Sequence, residues 1–329
     1  MREVAPGDLA DALSFAKGSS ATAGQVVELV LSPGAYSVGA RRRLQSGASD
    51  TGGGASGVPS GARAVIDASV RASEIRLVAP AGGARFEALQ QTLFAVRTGA
   101  PPVTFVGLTF LASTSTGAVI DVDGGDLVSF DGCVFEGNTL ALRVASGTVA
   151  VRNSTFRANG MLTAEGGAIR AEGTSSILID STLFGGNLAG EGGAIHASGS
   201  ASLTISRTNF TANNASRGGA VSVLGSAVMV LRDQTRLHSN SARESASTLR
   251  IDGAARVVYV LPAPLGHWIA STVVCDDAAA AVDSLCLSNH GVQSGQHFAA
   301  LPRGDLDDYP FTCNAGLVGT RSSRHRGAS

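Results

Sequence analysis

Apolar positions along this chain recur with a fixed spacing that ends on a phenylalanine. Apolar residues stand seven and five positions before this phenylalanine, as Val149 and Val151 do before Phe156. A small inward residue stands two positions before the phenylalanine. The first step of two is the period of a β-strand. The following step of three predicts a two-residue bend and a second short strand. The spacing fits five segments, which end at Phe110, Phe135, Phe156, Phe184 and Phe210.

Two short motifs alternate with these strands in constant order. Gly-Gly-Ala-Ile or Gly-Gly-Ala-Val occurs three times with a period of 26 residues, and Phe-x-x-Asn precedes each copy and occurs once more upstream. A fixed period of this length indicates one supersecondary unit stacked on itself. The repeat residues are Phe135, Asn138, Phe156, Asn159, Gly166, Gly167, Phe184, Asn187, Gly192, Gly193, Phe210, Asn213, Gly218 and Gly219.

A second alternating pair follows each Gly-Gly motif, as Ile169 and Ala171 do after the first copy. Each repeat therefore contains about three short strands, and stacked repeats would pair like strands in parallel, about 4.8 Å apart. The sequence predicts an all-β fold, a right-handed parallel β-helix (a solenoid) of about eight coils. We expect the asparagines to stack at a turn through their amides, and the paired glycines to occupy left-handed or crowded backbone positions.

The two ends and one insertion depart from the repeat. Residues 1–25 are predicted to form an N-terminal cap with a short amphipathic helix over 8–17, and residues 26–256 to form the β-helix. A Gly/Ser-rich insertion loop interrupts the β-helix at 41–63. Residues 257–329 are predicted to form an irregular C-terminal cap, in which Trp268 closes the core, and a partly disordered tail that contains cysteines. Caps are expected because a solenoid exposes its core at both ends.

The four cysteines of the chain predict no metal site, and no motif indicates a cofactor. Cys133 falls on an inward position of the repeat and is expected to be a small buried residue. Cys275, Cys286 and Cys313 lie beyond the repeats. A disulfide between two of these three is expected if the protein is exported.

Charge and hydropathy exclude several classes of function. A net charge of −1 gives no support to nucleic-acid binding. No apolar run is long enough to form a transmembrane helix. The first thirteen residues contain no continuous apolar stretch and so predict no signal peptide, which argues against secretion of the chain as given. A fragment of a longer protein would account for the same observation.

Polar residues occupy the outward position of the strand that follows each Gly-Gly motif. Arg170 and His196 should lie on adjacent coils there, about 5 Å apart by backbone spacing. A second polar row stands immediately before the Gly-Gly motifs. The first row reads Asp121, Arg143, Arg170, His196, Ser222 and Arg250, and the second reads Glu165, Glu191 and Arg217.

Two interpretations of these rows remain open. One is chemical: arginine binds uronate carboxylates bidentately, and His196 would serve as the general base of a polysaccharide lyase. The catalytic candidates are then Arg170, His196 and Arg250, and the ligand-binding candidates are Asp121, Arg143, Glu165, Arg170, Glu191 and His196. The other interpretation is that outward positions are polar because they face water. Sequons at Asn153, Asn209 and Asn214 matter only if the chain enters a secretory pathway.

The alternation of Gly-Gly-Ala-Ile with Phe-x-x-Asn over residues 103–251 resembles the repeats of chlamydial polymorphic outer-membrane proteins. Related right-handed β-helix proteins of other bacteria and of unicellular algae contain the same repeats. The opening, with Asp11-Ala12-Leu13 followed by residues 26–36, is similar to the start of many pectin-lyase-like β-helices. The resemblance implies a surface-exposed protein, and several members of the polymorphic family are adhesins.

Regular repeats without a catalytic constellation favour a non-catalytic surface or extracellular β-helix that acts as an adhesion, recognition or structural module. Its expected partner is a polysaccharide or a cell-surface protein, and the protein itself is expected to be a monomer or part of a larger chain. The alternative is a polysaccharide-active enzyme (a lyase, hydrolase or epimerase), because one fold hosts both binders and enzymes.

Overall fold

The computed structural model describes residues 2–4, 25–37, 64–80, 83–87, 92–114, 117–245 and 248–260, and five short strands further along the chain. This described part is all-β and contains no helix. The helix predicted over 8–17 and the loop predicted over 41–63 lie outside it. Cys286 and the side chains of Trp268, Cys275 and Cys313 also lie outside it, so the predicted disulfide and the predicted role of Trp268 stay predictions.

Short strands follow one another along the described chain. The first are β1 (Arg2–Val4), β2 (Val26–Leu31), β3 (Gly34–Ser37), β4 (Ala64–Ile66), β5 (Glu74–Val78), β6 (Ala84–Glu87), β7 (Phe94–Arg97), β8 (Val103–Val106), β9 (Thr109–Leu111), β10 (Ile120–Asp123), β11 (Val128–Asp131) and β12 (Val134–Glu136). Next come β13 (Leu142–Ser146), β14 (Thr148–Arg152), β15 (Thr155–Arg157), β16 (Ile169–Ala171), β17 (Ser176–Asp180), β18 (Leu183–Gly185), β19 (Leu188–Glu191), β20 (Ile195–Ala197), β21 (Ser202–Ser206), β22 (Asn209–Thr211), β23 (Asn214–Arg217) and β24 (Val221–Val223). The last are β25 (Val228–Arg232), β26 (Arg236–His238), β27 (Ser241–Ser245), β28 (Leu249–Ile251), β29 (Arg256–Val260), β30 (His267–Ile269), β31 (Val274–Cys275), β32 (Phe298–Ala300), β33 (Gly304–Leu306) and β34 (Phe311–Cys313).

Like strands of successive coils stack in parallel and form the faces of the solenoid. Neighbouring strands pair residue for residue, as Val149 does with Ile177 and Phe156 with Phe184. The stacking produces a right-handed parallel β-solenoid and confirms the fold class predicted from the repeat. The parallel stacks are sheet A (β1, β2, β5, β8, β11, β14, β17, β21, β25, β29), sheet B (β3, β6, β9, β12, β15, β18, β22, β26), sheet C (β4, β7, β10, β13, β16, β20, β24, β28) and the shorter sheet D (β19, β23, β27).

The solenoid has about seven turns, whereas the repeat predicted about eight coils. Sheet B is an eight-stranded stack. Eight strands are separated by only seven steps, each of about 4.8 Å. In sheets B and C the eight coils counted from the sequence are therefore the stacked strands, and the turns are the steps between them.

A tight bend joins sheet A to sheet B in each coil. β14 ends at Arg152 and β15 begins at Thr155, and Asn153 between them has a φ of 50°. Ser181 and Arg207 hold the same place in the next coils, with φ values of 51° and 47°. Left-handed backbone of this kind turns the chain within two residues, and asparagine adopts it more readily than most residues. The predicted two-residue bend is therefore confirmed.

Phenylalanine rings from sheet B form a continuous stack through the core. The ring centroids of Phe135 and Phe156 are 4.7 Å apart with planes 5° apart, and Phe184 and Phe210 repeat this geometry at 4.7 Å and 4°. All four rings are fully buried, as the inward spacing predicts. Cys133 lies in the same core, where burial raises the pKa of its thiol to about 12. It is therefore an unreactive core residue, in agreement with the prediction.

The motif asparagines form a buried ladder at the turn that follows sheet B. Asn187 Nδ2 donates to Asn213 Oδ1 at 2.9 Å and to the carbonyl oxygen of Phe156 at 3.1 Å. Asn187 Oδ1 accepts from the backbone N–H and from Nδ2 of Asn159, both at 3.0 Å. Each amide thus satisfies buried backbone groups that the turn would otherwise leave unpaired. The stacking predicted for the asparagine row is confirmed.

The paired glycines form the corner between sheet D and sheet C. The first glycine of each pair has left-handed backbone, with φ of 70° at Gly166 and 63° at Gly192. The second glycine is crowded: a Cβ added to Gly193 would lie 2.2 Å from the carbonyl oxygen of Gly219 and 2.7 Å from that of Asn214. The first glycine is crowded as well, since a Cβ on Gly192 would lie 2.1 Å from the carbonyl oxygen of Ile195. Both reasons predicted for glycine at this corner are therefore present.

Two strands near the C-terminus pair in the antiparallel direction with strands of the last coil. β29 is the last parallel strand of sheet A, and β32 pairs with it in the antiparallel direction. β33 pairs in the same way with β28 of sheet C. These strands cover backbone groups that an open sheet edge would leave unpaired. At the other end of the solenoid, β1 pairs in parallel with β2.

The crowding at the glycine corner gives a direct test of the fold. Gly193→Ala should lower the free energy of unfolding by at least about 3 kcal/mol, because its Cβ would overlap fixed backbone atoms. Gly185→Ala is the matched control, since a Cβ there meets nothing closer than 4.0 Å, and its effect should stay within about 1 kcal/mol. Urea denaturation followed by circular dichroism measures both, and equal stability of the two variants would contradict the corner geometry.

The asparagine ladder gives a second test. Asn187→Ala leaves the carbonyl oxygen of Phe156 and the backbone N–H of Asn159 without their partners. Each unsatisfied buried group costs about 1–3 kcal/mol, so we expect a total loss of about 2–6 kcal/mol. Asn209→Ala, at an exposed outward position of β22, should change the stability by less than about 0.5 kcal/mol. A similar midpoint of urea denaturation for the two variants would show that the ladder contributes nothing.

Candidate functional site

Two rows of polar side chains meet along one side of the solenoid. The outward residues of sheet C pair in register from coil to coil. The residues that precede the glycine corner pair in the same way, Glu165 with Glu191 and Glu191 with Arg217. The corner brings the second row within hydrogen-bonding distance of the first. We call these two rows the polar face: Asp121, Arg143, Arg170, His196, Ser222, Arg250, Glu165, Glu191 and Arg217.

Asp121 is a buried carboxylate at one end of the polar face. It is only 2% exposed, and a buried charge is costly unless it is paired. Arg97 Nη2 lies 2.7 Å from Asp121 Oδ2, and Arg143 Nη1 lies 2.9 Å from Asp121 Oδ1. Arg97 was not among the residues predicted from the sequence. The feature that could have indicated Arg97 is its position at the end of β7, one coil before Asp121.

Glu172 separates the two neighbouring arginines of the outward row. Its carboxylate accepts from Arg143 Nε at 3.0 Å and lies 2.5 Å from Arg170 Nε. Burial disfavours the charge on Arg143, but its hydrogen bonds to Asp121 and Glu172 raise the pKa of the guanidinium above its ordinary value. Glu172 was also missed by the sequence analysis, because it follows the last residue of β16 and so belongs to neither predicted row.

Glu191 is the centre of the other half of the polar face. Arg250 Nη1 lies 2.6 Å from Glu191 Oε2, and Arg217 Nη2 lies 2.9 Å from Glu191 Oε1. Ser222 Oγ donates to the same carboxylate at 3.4 Å. Arg250 also reaches Asp252, at 3.0 Å from Nη2 to Oδ2. The carboxylate of Glu191 therefore holds side chains from the two coils that follow its own.

His196 lies between these two halves and is 3% exposed. Its Nε2 lies 4.0 Å from Glu165 Oε2, which is itself 3.0 Å from Arg170 Nη2. His196 Nδ1 is buried and has no hydrogen-bond partner among the described residues. Burial lowers the pKa of His196; Glu165 opposes this and Arg170 adds to it. The ring is therefore neutral at neutral pH, which is the protonation state of a general base, but it is closed off from solvent.

The outer rim of the polar face is exposed and contains apolar residues as well as charges. Glu165 is 46% exposed and Arg217 43%. The segment from Asn159 to Gly166 is two residues longer than the corresponding segment of the next repeat, and its tip places Met161 and Leu162 at the surface. This tip was not predicted from the sequence, although the extra length between the two motifs distinguishes this repeat.

The donor set of this face does not form a metal centre. No group of three or more His, Cys, Asp or Glu side chains is arranged to hold a metal ion in the described ranges. The acids alternate with arginines, which are cationic and occupy the carboxylate oxygens that a metal would need. Within the same ranges, no helix has the length and apolarity needed to span a bilayer.

Comparison with known proteins supports the fold. Residues 93–248 match the family described as right handed beta helix region. This segment contains the asparagine ladder, the glycine corners and most of the polar face. No curated protein and no solved structure matches the chain. The chain is therefore similar to right-handed β-helix proteins, and its likeness to chlamydial polymorphic outer-membrane proteins and to pectin lyases stays a prediction from sequence motifs.

The lowered pKa of His196 predicts a pH dependence of stability. Because the folded state resists protonation of this ring, the unfolded state binds more protons once the pH falls below about 6.5. The contribution of His196 to the free energy of unfolding should be fully present above that pH and decrease toward pH 5. Its slope is at most about 1.4 kcal/mol per pH unit. His196→Gln should remove that part of the slope in urea denaturation between pH 8 and pH 5.

The control for this measurement is His238→Gln, because His238 is exposed on β26. The charged groups that act on the ring of His196, namely Glu165, Glu172, Glu191 and Arg170, are present in every protein compared. The difference between the slopes therefore isolates His196. If His196→Gln left the slope of the free energy of unfolding against pH unchanged, burial of His196 would not affect its protonation. An equal decrease of this slope in His238→Gln would lead to the same conclusion.

Proposed function

We propose that this protein is a non-catalytic β-helix that acts as a recognition, adhesion or structural module at a cell surface or outside the cell. In this proposal the polar face contacts a polysaccharide or a cell-surface protein. One observation supports it above the others: the charged groups of the polar face are engaged with one another, and the one candidate general base, His196, is buried.

Catalysis would require these same groups to be available to a substrate. Arg170 contacts both Glu165 and Glu172, and Arg250 contacts both Glu191 and Asp252. A uronate carboxylate could take over the N–H groups that are already bonded in either arginine only by displacing the carboxylate in place. Such a substitution gains little, because one charge-assisted hydrogen bond replaces another.

The rim of the polar face has features that suit binding. It combines exposed charges of both signs, on Glu165 and Arg217, with the apolar tip at Met161 and Leu162. The polar face continues from coil to coil at about 4.8 Å per coil, so an extended partner could contact several coils at once. An interface of mixed polarity like this one is typical of reversible recognition.

The second candidate function is a polysaccharide lyase, hydrolase or epimerase. One observation favours it: the ring of His196 is neutral, Arg170 occupies the paired position on the neighbouring strand, and Glu165 lies near both side chains. A base and a cation on neighbouring strands are the groups required to remove a proton next to a carboxylate. This reading requires the ion pair of Glu165 with Arg170 to open when substrate binds.

Incubation with polysaccharides distinguishes the two functions. Purified protein is mixed with neutral and acidic polysaccharides and, separately, with whole cells, and both retention and newly formed chain ends are measured. We expect retention without new ends. The double substitution Glu165→Gln and Arg217→Gln on the rim should weaken retention by about tenfold, equivalent to about 1.4 kcal/mol, whereas Arg236→Gln on sheet B should have no effect.

Three results of this experiment would contradict the proposal. New chain ends that disappear in His196→Ala, while the variant keeps its folded circular dichroism spectrum, would place the protein among the enzymes. Absence of retention on every polysaccharide and on cells would contradict a recognition role. Equal weakening by Arg236→Gln and by the double substitution would show that binding does not use the polar face.

A further inference from the structure

The three Asn-x-Ser/Thr sequons occupy different environments in the folded chain. The sequon Asn209-Phe210-Thr211 coincides with strand β22. Because side chains alternate along a strand, Phe210 enters the core while Asn209 and Thr211 share the outward surface of sheet B. Asn209 is exposed and Thr211 is partly exposed. The acceptor amide and the hydroxyl of this sequon therefore stand side by side at the surface.

The side-chain amides of the other two sequons are engaged. Asn153 Nδ2 donates to Asp131 Oδ1 at 2.8 Å, from a bend residue with left-handed backbone. Asn214 Nδ2 donates to Ser241 Oγ at 2.8 Å, and Asn214 Oδ1 is buried. The side chain of Asn209 makes no hydrogen bond within the ranges that the structure describes.

An exposed apolar side chain lies directly beside Asn209. Leu183 pairs in register with Asn209 on the neighbouring strand of sheet B and is 39% exposed. Leu178 stands on sheet A at the other side of the same bend and is 45% exposed. Both leucines occupy outward strand positions, where most residues of this solenoid are polar. Exposed apolar surface costs about 25 cal/mol per Å² relative to burial, so a covering group here would be stabilising.

We infer that Asn209 carries an N-linked glycan and that the first sugars of this glycan cover Leu183. The inference rests on the extracellular location in the proposed function, reached through a eukaryotic secretory pathway. The donor is an oligosaccharide attached to a lipid diphosphate. A bond forms between Asn209 Nδ2 and C1 of the first sugar, the bond between C1 and the phosphate oxygen breaks, the lipid diphosphate leaves with the electron pair, and the amide releases one proton.

The fold explains why this position accepts a glycan. A glycan is bulky and well hydrated, and it must project from the surface. Asn209 directs it away from sheet B without loss of a protein hydrogen bond, and the apolar face of the first sugar can pack on the side chain of Leu183. A glycan on Asn214 would compete with the bond to Ser241 in sheet D.

The test uses the full chain made with a secretion leader in a eukaryotic cell. Protein from cells and medium is treated with peptide N-glycosidase in heavy-oxygen water, which labels each formerly glycosylated asparagine as aspartate. We expect more than half of Asn209 to be labelled. Asn209→Gln and Thr211→Ala should both abolish the label in this peptide, and Thr211→Ser and Asn214→Gln should keep it. Unlabelled Asn209 in both fractions would overturn the inference.

A second measurement tests the contact with Leu183. Binding of a hydrophobic dye to the folded glycoprotein should rise at least twofold when Asn209→Gln removes the glycan. Leu183→Ser should remove this difference, because the apolar surface is then absent with or without the sugar. Equal dye binding with and without the glycan would contradict coverage of Leu183.

Failure of this inference can be separated from failure of the proposed function. Asn209 lies on sheet B and the polar face lies on sheet C and the glycine corner. Unglycosylated Asn209→Gln should therefore retain polysaccharides as the parent chain does. Loss of the label with retention unchanged would reject the glycan alone, and a label without retention would reject the recognition role alone.

Discussion

Parallel pairing of each coil with the next, residue for residue, is the constraint on which the whole molecule depends. Because paired strands stand about 4.8 Å apart, each side chain must pack against the side chains at the equivalent position in the coils above and below it. Phe184 meets this condition by stacking between Phe156 and Phe210. Asn187 meets it because an amide is both donor and acceptor, so each asparagine satisfies its neighbour. A single coil could not hold such a buried amide alone.

The same constraint explains the ion pairs of the polar face. Register places Arg143 beside Arg170 and Glu165 beside Glu191, and like charges in adjacent strands repel. Opposite charges from other positions relieve this repulsion, since Glu172 lies between the two arginines and Arg250 reaches Glu191. The arrangement that looks in sequence like a catalytic array therefore has a structural cause. This cause is the physical reason for favouring a non-catalytic role.

Sequence predicted the parts of this structure that follow from a local period. The inward residues, the bend, the asparagine ladder and the corner glycines each come from residue types that recur at a fixed place in every repeat, so spacing alone identifies them. The register of Arg170 with His196 followed from the same spacing. The partners Arg97 and Glu172 could not be predicted in this way, because they stand at strand ends and act through long flexible side chains. Burial of His196 likewise depends on the conformations of its neighbours.

The inward and outward side chains of the solenoid have different roles. Inward side chains determine stability, and outward side chains can differ from coil to coil as long as charges are balanced and apolar surface is covered. Leu183 departs from the polar pattern of its surface, and the residue that pairs with it is the sequon acceptor Asn209. On the outside of sheet C and the glycine corner, the charges of the polar face are already balanced within the chain. A partner of that face would therefore gain most from the exposed rim, where Glu165, Arg217 and the apolar tip retain contact with water.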